Sequence, residues 1–122
     1  MEQKKYEITD IAHPKYPWLH RIRALVPVNE DVKAADLGGY VQTEDNLSQK
    51  DTCWIYDQAI CCEDAMVRKD ARMYDGSMAR GSALIAGGAR RYERACADGH
   101  CCIRNGEIKE DARVAGAAVV TV

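Results

Sequence analysis

The sequence contains no phenylalanine and only three prolines and three histidines among its 122 residues. An interior without phenylalanine must be filled mainly by smaller side chains, and alanine, cysteine, valine, isoleucine and glycine are all frequent. No apolar run approaches the ~20 residues that a membrane-spanning helix needs, so we expect no membrane contact. The formal net charge of −2 lacks the strong positive balance typical of nucleic-acid-binding proteins, so we expect no nucleic-acid partner.

The beginning of the chain, residues 1–5, lacks the apolar core of a secretory signal peptide. We therefore expect a cytoplasmic protein. In that compartment its six cysteines are expected to be reduced thiols that act as small apolar side chains.

A six-residue repeat begins at Asp51. The third place of each hexad is always small, and it is filled by Cys53, Ala59, Ala65, Ala71, Ser77, Ala83, Ala89, Ala95 and Cys101. The fifth place is mostly aliphatic or small, and the first two places favour the Asp, Glu, Gly and Gln of turns. Residues two apart in a strand face the same side, so the third and fifth places point inward. A helix is excluded because residues six apart drift around its 3.6-residue turn.

Tyrosines followed by a carboxylate recur every eighteen residues, at Tyr56, Tyr74 and Tyr92, which indicates that three hexads make one turn. Residues eighteen apart should then stack on rungs ~4.8 Å apart. The predicted inner ladders are Val67, Ile85, Ile103 and Val120, and Ile55, Met73, Arg91 and Ile108, with one residue lost after Arg104. We predict an all-β protein, with an N-terminal β-hairpin cap over residues 1–40 and a hexapeptide-repeat solenoid over residues 41–122. The cap strands are expected at Tyr6–Thr9 and Leu19–Val28.

An aliphatic residue followed four places later by a small one, as in Ile55 and Ala59, resembles the hexapeptide-repeat left-handed β-helices. The order of four segments further resembles the YdcK-like β-solenoid proteins of phages and prophages. These segments are Arg21-Ile-Arg-Ala-Leu25, Asp36-Leu-Gly-Gly39, Leu47-Ser48 and Trp54-Ile-Tyr-Asp57. The resemblance implies a left-handed parallel β-helix with three hexads per turn. It implies no established catalytic residues, although the fold resembles that of acyltransferase solenoids.

Two chemical functions find little support in the residues. The doublets Cys61-Cys62 and Cys101-Cys102 are forty residues apart, more than two turns, so their thiols should not converge on a metal. Acyl transfer would use a histidine base, and His13 and His20 fall in the predicted cap while His100 falls at a corner. We predict no catalytic residue, no metal site and no cofactor.

One outer face combines aromatic and cationic side chains. We predict that it binds a ligand through Tyr56, Arg72, Tyr74, Arg90 and Tyr92. Stacked tyrosines and arginines paired with neighbouring acids would give the same pattern for purely structural reasons. Arg91 is the one charge at an inward place, where either a bulge or a buried site is compatible with the sequence.

The other two outer faces carry apolar residues where a monomer would carry polar ones. We predict an oligomer interface formed by Ile60, Met66, Met78, Leu84, Cys96, Cys102 and Val119. A homodimer or homotrimer is the expected assembly. The predicted function is therefore non-enzymatic binding, with a host protein or a small-molecule ligand as the further partner. The alternatives are an acyltransferase-like enzyme and a solenoid that forms structural polymers.

Overall fold

The computed structural model describes residues 4–88 and, beyond them, the backbone of six short strands. The described part contains fifteen strands, one short 3-10 turn at Glu44–Asn46 and no α-helix, so the all-β class is confirmed. The first nine strands are β1 (Tyr6–Ala12), β2 (His20–Ala24), β3 (Leu37–Val41), β4 (Trp54–Ile55), β5 (Ile60–Cys61), β6 (Met66–Val67), β7 (Arg72–Met73), β8 (Met78–Ala79) and β9 (Leu84–Ile85). The last six are β10 (Arg90–Arg91), β11 (Cys96–Ala97), β12 (Cys102–Asn105), β13 (Glu107–Ile108), β14 (Arg113–Val114) and β15 (Val119–Thr121).

From β4 onward, successive strands belong in rotation to three different sheets, and all their pairings are parallel. Ile55 pairs with Met73 and Val67 with Ile85, in both cases eighteen residues apart. Arg91 pairs with Ile108, seventeen residues later, and shows no register shift within β10. Both predicted inner ladders are thereby confirmed in backbone register, including the residue lost after Arg104.

Backbone hydrogen bonds join consecutive eighteen-residue segments. Every even-numbered residue from Trp54 to Asp70 donates its N–H to the carbonyl seventeen positions later, with distances of 2.7–3.2 Å. Since the donors include corner residues as well as strand residues, the pairing continues around each bend. This ladder satisfies backbone groups that would otherwise be buried without partners.

The corners have a regular conformation. Across the described hexads the first place has a positive φ of 54–67°, at Asp51, Asp57, Glu63, Lys69, Asp75, Gly81 and Gly87. A hydrogen bond closes the turn, as from the N–H of Ala59 to the carbonyl of Tyr56 at 3.0 Å. The predicted turn places are therefore confirmed. The left-handed conformation explains why Asp and Gly are frequent there.

The third and fifth places form the core. Between Cys53 and Ile85 every one of these side chains is at most 1% exposed. Because the third place is always small, and the fifth place is also small at Cys61 and Ala79, three sheets can approach closely without phenylalanine. The side chain of Arg91 lies outside the described residues.

The turn that precedes Asp51 is irregular. Tyr40 pairs with Ile60, and Leu47 bridges to Val67, both twenty residues apart. Two additional residues therefore lie between Leu47 and Trp54. Because of them, the six-residue pattern in the sequence does not extend to this turn. The boundary that the sequence places between residues 40 and 41 falls inside β3.

The N-terminal strands cover the end of the core. β1 and β2 pair antiparallel, as predicted, and β2 continues antiparallel to β3, which joins the seven-stranded sheet. Tyr6 and Ile22 are fully buried in the same cluster as Ile55. β3 lies so close to the next turn that a Cβ on Gly39 would be 2.5 Å from the carbonyl oxygen of Ala59. The chain therefore needs glycine at this position.

Candidate binding surfaces

Tyr56 and Tyr74 stack on the outer surface, with ring centroids 4.5 Å apart and planes inclined by 15°. Both side chains are half-buried. The predicted tyrosine stacking is thus seen for these two rings, and Tyr92 lies outside the described residues. The backbone of Arg90 pairs in register with Arg72, while the Arg90 side chain is also outside the described part.

Arg72, the central residue of the predicted ligand-binding face, is only 7% exposed. Its two terminal nitrogens lie 2.8 and 3.2 Å from the two carboxylate oxygens of Glu30. Asp70 is 3.2 Å away and Asp31 3.4 Å. The hydrogen bond that Arg72 donates to Glu30 is the main cause that raises the pKa of Arg72, and the same contact lowers the pKa of Glu30. The guanidinium is therefore already paired with carboxylates.

Glu30 and Asp31 come from a tight turn between β2 and β3. The Oδ1 atom of Asn29 accepts the N–H groups of Asp31 at 2.8 Å and Val32 at 3.1 Å. The Nδ2 atom of Asn29 donates to the hydroxyl of Tyr56 at 3.0 Å. Val28 and Val32 flank the turn and are buried in the core. This turn is not among the elements predicted from the sequence, although an Asn-Glu-Asp segment between two valines is a signal for it.

The cap also covers the first side chain of this face. Trp54 occupies an outward place, yet it is 1% exposed. The ring of Tyr6 meets it edge to face, with centroids 6.2 Å apart. We call this surface (Tyr56, Arg72, Tyr74, Arg90 and Tyr92) the tyrosine–arginine face. The cap covers the rung that precedes it, at Trp54.

The predicted oligomer interface is partly covered by the chain itself. Ile60 is 6% exposed because it packs with Leu19 and Tyr40. Met66, Met78 and Leu84 stay half-buried. The outward places do stack in backbone register, Ile60 with Met78 and Cys96, and Met66 with Leu84, Cys102 and Val119. The side chains of Cys96, Cys102 and Val119 lie outside the described residues.

A groove of about 150 Å³ lies beside Ile60. It is lined by Tyr16, Trp18, Leu19, Ile60, Cys62, Glu63, Met78 and Arg80. Trp18 is 56% exposed, which is unusual for so large an apolar side chain. Since an apolar cavity of ~150 Å³ can hold a benzene ring, the groove has room for one aromatic side chain. We refer to it as the Trp18 groove.

A larger open depression of about 480 Å³ lies beside Met66. Its lining includes the carboxylates of Asp45, Glu63 and Asp64 and the guanidinium of Arg68. These charged side chains, all exposed, are ordinary solvated surface groups. We therefore base no function on this depression.

His13 accepts hydrogen bonds within the loop between β1 and β2. The Nδ1 atom of His13 accepts the N–H groups of Lys15 at 3.0 Å and Tyr16 at 3.2 Å. Burial, and then the cations Arg21 and Lys15, lower the pKa of His13. His13 therefore holds the loop between β1 and β2. His20 lies in β2, and His100 is outside the described residues.

Within the described part of the chain, no three His, Cys, Asp or Glu side chains converge on a common metal position. Cys61 is buried in the core and Cys62 is half-buried, so the two thiols of this doublet face opposite sides. Burial raises the pKa of the Cys61 thiol. Cys101 lies outside the described residues, and of Cys102 only the strand position is described.

Comparison with protein-family models and with curated proteins finds no match to this chain. Across the described residues, no helix has the length and apolarity needed to cross a membrane. Any function of the chain is therefore inferred from the Trp18 groove and the tyrosine–arginine face.

Proposed function

We propose that this chain is a non-enzymatic binding protein folded as a left-handed parallel β-helix with an N-terminal cap. Parallel pairing at eighteen residues and the rotation of strands through three sheets support the helical path. The left hand and the relationship to YdcK-like phage and prophage proteins rest on the sequence resemblance. A cytoplasmic location completes this proposal.

The Trp18 groove is the observation on which the binding function rests. Tryptophan and tyrosine dominate the energetics of protein interfaces, and here Trp18 and Tyr16 border an apolar recess. Met78, which also lines the groove, pairs in register with Ile60 and belongs to the outward ladder of that sheet. The groove and this ladder thus form one partly apolar surface.

We propose that this surface binds a second copy of the chain and forms a closed dimer or trimer. Small homo-oligomers use closed symmetry in most cases, and flat parallel sheets offer a surface that matches itself. A host protein that uses the same surface is the second proposed partner.

The experiment is sedimentation velocity of the wild type and of Trp18→Ala at micromolar concentration. Because Trp18 is mostly exposed, its removal should leave the fold intact. Loss of a central aromatic contact should weaken self-association by roughly 2 kcal/mol or more. The matched control is Leu37→Ala, since Leu37 is 51% exposed and does not line the groove.

A dimer or trimer that dissociates in Trp18→Ala and persists in Leu37→Ala supports the proposal. A monomeric wild type contradicts self-association. Equal dissociation of the two variants contradicts the assignment of the interface to the Trp18 groove.

A further inference from the structure

We propose that Arg72 is the centre of an anion-binding site for a ligand with a phosphate or carboxylate group, and that Glu30 occupies this site in the unliganded chain. The inference concerns the tyrosine–arginine face and is independent of self-association through the Trp18 groove. It assigns a ligand class to a surface that the sequence singles out.

Glu30 imitates such a ligand. Its two oxygens accept one hydrogen bond each from the terminal nitrogens of Arg72, at 2.8 and 3.2 Å. This two-point geometry is the one in which guanidinium groups recognise carboxylates and phosphates. A free anion in the same position would therefore find its donors already oriented.

Arg72 is also incompletely satisfied. Its side chain is 8% exposed, yet among the described residues its Nε atom has no hydrogen-bond partner. A guanidinium has five N–H donors, and a carboxylate that approaches the two terminal nitrogens leaves Nε without an acceptor. Nε thus remains a buried, unused donor next to the contact with Glu30.

The occupying acids can leave without unfolding the chain. Glu30 is 70% exposed and Asp31 is 58% exposed, so both side chains can rotate into water. The backbone of their turn stays in place through Asn29 and the buried Val28 and Val32. Side-chain rotation alone would remove the contacts of Glu30 and Asp31 with Arg72, while Asp70 would stay 3.2 Å from Nη2.

The neighbours of Arg72 suit an anion once these acids have rotated away. Arg90 pairs in register with Arg72, which places two cationic residues on adjacent rungs about 4.8 Å apart. The stacked rings of Tyr56 and Tyr74 lie on the same face and offer an aromatic surface to a ring attached to the anion.

The test is isothermal titration calorimetry at low salt, with inorganic phosphate, citrate, adenosine monophosphate and adenosine as probes. The variant Glu30→Gln/Asp31→Asn removes the internal competitor and keeps the shape of the turn. We expect it to bind phosphate, or an anion-bearing probe, about tenfold more tightly than the wild type does. The matched control, Glu7→Gln, removes an acid paired with exposed Arg23 and should bind as the wild type does.

Two readouts assign the binding to Arg72. The replacement Arg72→Gln, added to the double variant, should abolish anion binding. In nitrogen-15 NMR of the double variant, the Nε–H signal of Arg72 should shift when phosphate is added. The NMR titration tests the proposal even if the Arg72→Gln variant does not fold. Equal affinity in wild type and double variant, no binding of any anion by the double variant, or equal binding of adenosine and adenosine monophosphate would each overturn it.

Discussion

The ammonium group of Lys5 lies 2.9 Å from the backbone carbonyl oxygen of Cys53 and 3.4 Å from the thiol of the same residue. It also donates to the carbonyls of Lys50 at 3.1 Å and Asp51 at 3.4 Å. These carbonyls belong to the segment in which the chain carries two residues more than the regular repeat. Lys5, which is 5% exposed, thus joins the N-terminus to the irregular first turn.

Replacement of Lys5 by Met should destabilise the protein by about 2–3 kcal/mol, because several buried carbonyls would lose their donor. The measurement is the free energy of unfolding from urea titration. The matched control is Lys4→Met. Lys4 pairs with Glu44 at the surface, and its loss should change the stability by about 0.5 kcal/mol or less. Equal effects of the two substitutions would contradict the role of Lys5.

Replacement of Gly39 by Ala should cost about 2–3 kcal/mol, since the new methyl group would lie 2.5 Å from both the carbonyl of Ala59 and Cγ2 of Ile55. Thermal unfolding followed by circular dichroism measures the loss. Gly76→Ala is the control, because Gly76 lies at an exposed corner and its φ is not in the left-handed region. Its effect should be close to zero or slightly stabilising. A variant Gly39→Ala as stable as the wild type would show that β3 is not packed this closely.

We expect the protein to lose stability at alkaline pH because of Tyr56. The pKa of Tyr56 is raised from 10.0 to about 12, and burial is the main cause. Between these values the unfolded chain loses this proton while the folded chain keeps it, so stability falls as pH rises. Because the ring is half-exposed, the loss should be about 1 kcal/mol rather than the full value of the shift.

The comparison is with Tyr56→Phe, which cannot ionise at this position. Below pH 10 the wild type should be more stable by about 1 kcal/mol, through the hydrogen bond from Asn29 at 3.0 Å. Urea titrations from pH 9 to about pH 12 should show this advantage shrinking. An advantage that stays constant over the range would refute the assignment to Tyr56.

The repeat could be predicted from the sequence because its pattern involves only residues close together in the chain. A small third place, an apolar fifth place and turn residues at the corner recur every six residues, and strand geometry converts that period into inward and outward faces. The eighteen-residue spacing of the tyrosines then sets the strand pairing, which the partners of Ile55 and Val67 confirm. The irregular turn before Asp51 was not predicted, because its residues pair with partners twenty positions away instead of eighteen.

The binding surfaces were less predictable because they depend on contacts between distant segments. Trp54 and Arg72 occupy outward places in the repeat, yet Tyr6 and the Asn29–Asp31 turn cover them. Ile60 is likewise covered by Leu19 and Tyr40. Nothing in the periodicity of the repeat indicates where an aperiodic cap will lie on it.

The sequence by itself thus determined the strand class, the inward residues and the register, because these follow from side-chain alternation and a constant repeat length. Only the tertiary structure decided which outward side chains stay accessible. Residues 4–41 fold back over the first turn, where Lys5 binds its carbonyls and Glu30 pairs with Arg72. The physical reason is that burial of an outward residue requires a partner more than twenty positions away, and such pairs are fixed by packing rather than by local pattern.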